Sequence, residues 1–149
     1  MALEINNETD WDVDCQEFAE LVSYCLEQLH VSRAAEVNLV MVDVDTMTEL
    51  HMKWMDLPGP TDVLSFPMDE LTPGSEGLET EGMLGDIVLC PEVAAEQAKD
   101  AGHAPVEEML LLTVHGLLHL LGFDHADPEQ EKTMFALQRK LLLNFLASR

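Results

Sequence analysis

The chain has 149 residues, 47% of them apolar, which suits one folded domain (residues 1–149) with a real core and excludes a disordered chain. Seven basic residues face 29 acidic ones for a formal charge of −22, a surface that repels phosphate backbones at long range and lacks the basic footprint usual in nucleic-acid binders. There is no membrane-length apolar run, and the early acids Glu4, Glu8, Asp10, Asp12 and Asp14 are the reverse of a secretory signal, so a cytoplasmic protein is expected.

Leu3 to Asn6 alternates and reads as a short strand. From about Asp12 to Val31 the apolar residues Phe18, Leu21, Val22, Cys25, Leu26 and Leu29 recur at three- and four-residue steps, the period of an amphipathic helix. Cys15 and Cys25 would then lie about 15 Å apart along one helix axis, too far for a disulfide. With Cys90 they make three reduced, structural thiols. Val37 to Val44 is rich in β-branched residues and reads as a buried strand. Asp45 reads as the start of a helix reaching about Met55, and Asp56-Leu57-Pro58-Gly59-Pro60 breaks the chain. Val63 to Phe66 is a short strand, Pro67 to Gly82 an exposed loop rich in glycine, proline and acid, and Gly85 to Cys90 another strand. Pro91 opens a helix through about Ala101. A central helix runs from Pro105 to about Leu121, and a last one from about Pro128 to Ala147, with Asp127 as its N-cap. The last helix carries Met134, Phe135, Leu137, Leu141, Leu142 and Phe145 as core packing. Such an order implies a small α/β or α+β domain with a four-stranded mixed sheet.

The helix from Pro105 to Leu121 is apolar almost all round, as the buried centre of a domain is. His115 and His119 lie one turn apart and about 40° apart around its axis, so both imidazoles point the same way. His125 cannot join them by extending the helix, since it would fall on the far side. Gly122 supplies the turn: a glycine just past a helix end adopts the left-handed conformation cheaply and sends the chain back. Three neutral nitrogens suit zinc and leave a fourth tetrahedral position open, the arrangement of a catalytic site in which bound water would be the reactive group. Nickel or copper would also fit such a donor set. Asp124, directly before His125, is the nearest carboxylate; it either orients a ligating imidazole or solvates the loop. His30, His51 and His103 are isolated and are not expected to be ligands.

Two enzyme classes share this spacing. Zinc proteases with the pattern H-E-x-x-H-x-x-G-x-x-H use the Glu after the first His as general base, and here that position is Gly116. The segment His115-Gly116-Leu117-Leu118-His119-Leu120-Leu121-Gly122-Phe123-Asp124-His125, in contrast, resembles the H-G-x-L-H-L-x-G-y-D-H signature of the YbeY proteins. Pro60-Thr61-Asp62-Val63-Leu64-Ser65-Phe66-Pro67 resembles that family's P-T-D-V-L-S-F-P strand, and Leu84-Gly85-Asp86-Ile87-Val88-Leu89-Cys90 its L-G-D-I-x-I-C strand. The order and spacing agree over about residues 35 to 125. The resemblance implies an α+β metallohydrolase fold, one zinc ion on His115, His119 and His125, and endonucleolytic cleavage of single-stranded RNA in 16S ribosomal RNA 3′-end maturation and ribosome quality control. Ribosomal RNA and ribosome-associated proteins are the partners so implied, with no membrane and no DNA. Many family members carry an Arg before the T-D-V strand; here that position is Met55, and the nearest cation is Lys53. Lys53 is thus the candidate RNA contact, a point charge without a guanidinium's two-pronged grip. The acidic surface further points to a protein brought to its RNA by a partner. A non-catalytic, metal-bound ribosome-assembly adaptor and a metal carrier are the readings outside catalysis.

Overall fold

In the run Val37-Asn38-Leu39-Val40-Met41 the residues Val37, Leu39 and Met41 are buried to one side and their neighbours only half-buried, the two-residue period of a strand. The computed structural model describes residues 2–148. Its elements are β1 (Ala2–Asn7), α1 (Cys15–Gln28), β2 (Glu36–Met41), α2 (Val44–Met55), β3 (Val63–Pro67), β4 (Met83–Leu89), α3 (Pro91–Ala101), α4 (Pro105–Leu120) and α5 (Pro128–Ser148). The strands form one sheet in the order β1-β2-β4-β3. β1, β2 and β4 run parallel, and β3 pairs antiparallel with β4 from Val63 opposite Leu89 to Pro67 opposite Gly85. The expected α+β domain with a four-stranded mixed sheet is what forms.

The main core joins Val37, Leu39, Met41, Ile87 and Leu89 of the sheet to Phe18, Leu21 and Leu26 of α1, Leu110, Leu117 and Leu118 of α4, and Met134, Leu141 and Phe145 of α5. Each such side chain contributes about 1.5–3 kcal/mol relative to exposure. A smaller cluster of Val42, Met47, Leu64, Val88 and Cys90 seats α2. Helix α4 is apolar all round because it is packed all round: β3 and β4 lie on one side, and α1, α3 and α5 on the others.

Element boundaries differ from expectation where a cap decides them. β2 ends at Met41 rather than Val44, because the Asp43 side chain accepts from the Thr46 amide at 2.8 Å and opens α2. Asp43, not Asp45, is therefore the N-cap; Asp45 lies in the first turn, where a carboxylate suits the helix dipole. Helix α1 starts three residues after Asp12, since Asp14 accepts from the amides of Gln16 and Glu17. It stops at Gln28 rather than Val31, because His30 takes a left-handed conformation with φ 55°. The Val31 amide then donates back to the Leu26 carbonyl at 2.9 Å, closing a Schellman turn without glycine. Asp127 caps α5 as expected, accepting from the Gln130 amide at 2.9 Å.

The segment 68–82 is largely exposed yet pinned. Asp69 accepts from the Met83 amide at 2.8 Å, and the Thr80 carbonyl accepts from the Ser32 amide at 2.7 Å. All three cysteines are free; Cys25 is buried in α1, and that burial pushes its thiol up to about 12. No helix among the described residues is long and apolar enough to cross a membrane.

Candidate metal centre

The end of α4 builds the site. Helix packing fixes His115 and His119 on one side of α4, and their Nε2 atoms stand 3.1 Å apart. After Leu120 the chain closes a complete Schellman motif: the Gly122 amide donates to the His119 carbonyl at 3.1 Å and the Phe123 amide to the Leu118 carbonyl at 3.0 Å. Gly122 has φ 90°, as the expected left-handed turn requires. The turn brings His125 back, with its ring centroid 5.5 Å from that of His115 and 5.2 Å from that of His119. One donor atom from each of the three residues lies within 4.8 Å of the others.

The same turn sets a tautomer. Its Phe123 carbonyl accepts from His119 Nδ1 at 2.9 Å. Gln138 of α5 accepts from His115 Nδ1 at 2.8 Å through its Oε1. Both rings therefore carry their proton on Nδ1 and direct the Nε2 lone pair toward the shared point. Two nitrogens about 2.0–2.1 Å from a tetrahedral ion lie roughly 3.3 Å apart, so the His115–His119 spacing fits a zinc-sized divalent cation with little movement. Desolvation holds both imidazoles below the ordinary histidine value, more than Asp62 near His115 or Asp124 near His119 can offset. Neutral rings are what a metal needs.

The Asp124 carboxylate accepts from the His125 backbone amide at 2.7 Å. It acts on the turn that carries the third histidine, while the ring partners are Gln138 and Phe123. His103, expected to be isolated, is hydrogen-bonded through Nε2 to Glu108 at 2.9 Å. His51 Nδ1 meets the Gly59 carbonyl at 2.9 Å and ties down the chain break after α2. Neither belongs to the centre.

The three histidines face a cleft of about 410 Å³ whose opposite wall is Asp62, Val63, Leu64, Ser65 and Pro67, with Met55 at the end of α2. Asp62 accepts from the Val63 amide at 2.7 Å and from Thr61 Oγ1 at 3.2 Å, which fixes its carboxylate at the lip. Ser65 Oγ donates to the Gly116 carbonyl at 2.9 Å, joining the strand wall to the helix between the first two histidines. A Cβ at Gly116 would stand 2.9 Å from Ile87 Cγ2 and 3.2 Å from Ser65 Oγ. A glutamate there, the base a zinc protease needs, has no room. Met55 lines the cleft where an arginine was expected, and no Lys or Arg is among the described residues lining it. Lys53 instead lies over the Trp54 ring, 5.1 Å from its centroid.

Four residues at or beside the site were absent from the expected set. Gln138 had a visible signal: it is the one polar residue in the stripe Met134, Gln138, Leu141, Phe145, whose apolar members are all buried. Asp62 and Ser65 stood inside a recognised strand segment without an assigned place in the site. Phe135, expected in the core, is instead 40% exposed, and its ring centroid is 6.1 Å from His115 and 6.0 Å from His125.

Comparison with known proteins agrees with this geometry. A family model described as Endoribonuclease YbeY matches residues 4–146. The chain is 61% identical over 150 residues to an Endoribonuclease YbeY of Beutenbergia cavernae, covering 100% of both. It is 60% identical over 149 residues to that of Clavibacter michiganensis, covering 99% of this chain and 97% of the relative. A solved Thermotoga maritima protein shares the fold with a TM-score of 0.67 at 25% identity, over 98% of this chain and 90% of that one. With three motifs in register, a histidine centre at their meeting point and relatives matched from end to end, the chain belongs to the Endoribonuclease YbeY family.

Proposed function

We propose that this chain is a zinc-dependent endoribonuclease that cleaves single-stranded RNA, acting in the cytoplasm in 16S ribosomal RNA 3′-end maturation and ribosome quality control. The observation that carries the reading is the pair of Nε2 atoms 3.1 Å apart, grouped with His125 along an open cleft. A divalent ion held by His115, His119 and His125 would supply Lewis-acid chemistry, polarising a phosphoryl oxygen or activating water. The chain's own residues do the rest. Gln138 and the Phe123 carbonyl hold the ring tautomers, Asp124 holds the turn under His125, and the β3 wall bounds the space left for a phosphodiester. Asp62 presents a carboxylate on that wall. Lys53 is the candidate phosphate contact, and ribosome-associated proteins are the partners that would bring so acidic a protein to its RNA.

The net charge of −22 favours one competing reading, a metal-bound assembly adaptor without catalysis. Metal content and cleavage of single-stranded RNA, measured for the wild type and His115→Ala, separate the two. The expected result is about one zinc per wild-type chain and RNA cleavage, both lost in the variant. A metal-replete wild type that leaves RNA intact while supporting ribosome assembly would establish the adaptor instead.

A further inference from the structure

A strand at the edge of a sheet carries backbone donors and acceptors that no ladder uses. β3 is such an edge, paired only with β4. In an antiparallel pair, alternate residues turn their N–H and C=O to the neighbour, and the residues between turn theirs away. The Cys90 amide donates to the Asp62 carbonyl at 2.8 Å, and the Met68 amide donates to the Leu84 carbonyl at 3.1 Å. With the register of Val63 opposite Leu89, these bonds turn the main-chain groups of Asp62, Leu64, Phe66 and Met68 to β4. Those of Val63, Ser65 and Pro67 therefore point outward, and all three residues line the cleft of the histidines. Leu64 lines it as well, although its side chain is buried in the cluster that seats α2. Neighbours from both faces of a strand line one cleft only when the cleft runs along the strand's edge.

This edge is not uniform. The Val63 amide is taken by the Asp62 carboxylate at 2.7 Å, and Pro67 has no N–H. Of the three outward residues, Ser65 alone keeps both a free donor and a free acceptor, while its Oγ is spent on the Gly116 carbonyl. We propose that the main-chain N–H and C=O of Ser65 grip the edge of one unpaired nucleobase beside the metal centre. The inference rests on the RNA-cleavage reading above and adds how the substrate is held. A phosphate only accepts, and no Lys or Arg is among the described residues lining the cleft. A base edge instead offers a donor beside an acceptor, as adenine does with its amino group and ring nitrogen, which complements Ser65. An extended peptide would add as a strand through successive outward residues, and two of the three here have no donor to give. In a duplex the Watson–Crick edges are already paired, so this contact selects single strands.

The test follows the Ser65 amide resonance by NMR in the zinc-loaded wild-type chain. The probes are adenosine 5′-monophosphate, ribose 5-phosphate and a blocked trialanine peptide, none of which has a phosphodiester link to cleave. The nucleotide should move the Ser65 amide proton downfield saturably. Ribose 5-phosphate, with the same charge and no base, should leave it in place, and so should the peptide. Ser65→Pro removes the donor at an edge position where the ladder does not need it and should weaken nucleotide binding about 3- to 10-fold. Ser65→Ala loses Oγ but keeps both main-chain groups, and should keep nearly the wild-type affinity. A saturable Ser65 shift in a chain that cleaves no RNA would support the base contact and defeat only the nuclease reading. A Ser65 amide unmoved by millimolar nucleotide, an equal shift with ribose 5-phosphate, or undiminished affinity in Ser65→Pro would overturn the inference. A shift with the peptide alone would also overturn it, and would make this edge a docking strand for protein.

Discussion

Gln138 holds the tautomer of one histidine in a cluster that could bind a metal ion. Its Oε1 is the acceptor that keeps the His115 proton on Nδ1, and without it the tautomer with Nε2 protonated competes with metal binding. Gln138→Leu is expected to lower zinc affinity about 10- to 100-fold, and Gln138→Glu, which keeps an acceptor, to retain it. Competition with a chelating indicator measures both; equal affinity in Gln138→Leu would show that packing alone orients the ring. Burial gives the same histidines a pH signature. Because desolvation holds the folded His115 and His119 below 6.5, the unfolded chain takes up protons first as pH falls. The metal-free protein thus loses stability from about pH 6.5 down through the folded values, while above 6.5 these groups contribute no slope. Thermal midpoints of metal-free wild type and a His115→Gln, His119→Gln variant should therefore converge or cross as pH drops from 7 to about 5, the wild type losing ground. A gap that stays constant would mean that the rings are not desolvated in the folded state. The clustering of the three histidines was legible because helical spacing and a turn glycine are local facts. That Phe135 lies outside the core was not legible, because an apolar residue next to a buried stripe looks the same in sequence whether it faces the core or, as here, the His115 and His125 rings.

Between residue and fold, caps and contacts decided what periodicity left open. Asp43 and Asp45 are both plausible helix openers in sequence, and only the strand's actual end at Met41 selects Asp43. His30 ends α1 in a conformation usually left to glycine, so no composition signal marked the stop. Gly116 is the informative case. In sequence it reads as the absence of a catalytic glutamate, whereas in the fold it is the point where α4 presses against the sheet. Gly116→Ala would gain about 1 kcal/mol of helix propensity. Its Cβ, however, would meet Ile87 Cγ2 at 2.9 Å, and Ile87 is wholly buried and cannot yield. Overpacking of this kind costs about 1–3 kcal/mol, so the net expectation is a destabilised chain with His115 displaced. Urea denaturation at fixed pH reads the change, with weaker zinc binding alongside it. A midpoint equal to or above that of the wild type would show that α4 is free to move off β3.

At the level of the whole chain, fold and charge point in different directions, and the two can be reconciled only by where the charges are. The fold is that of the Endoribonuclease YbeY family, yet the surface carries −22 and Met55 lines the cleft in place of an expected cation. Long-range attraction cannot gather RNA onto such a molecule; the mean field opposes approach at low salt and is screened as salt rises. Binding through phosphates releases counterions, with a log–log salt slope of about −0.7 per neutralised phosphate on a single strand. With Lys53 as the one candidate phosphate contact, that slope is expected near one phosphate's worth. Affinity for short single-stranded RNA should therefore fall by no more than about fourfold between 50 and 200 mM salt. Lys53→Ala should bring the slope close to zero or reverse it, because only the repulsive field is then left for salt to screen. A slope steeper than about −3 would require several phosphate contacts and would place the RNA on a surface other than this cleft. A shallow slope joined to weak affinity is what a protein delivered to its RNA by a ribosome-bound partner would show, and adding the assembled small subunit should then raise cleavage of the same sequence well above that of free RNA.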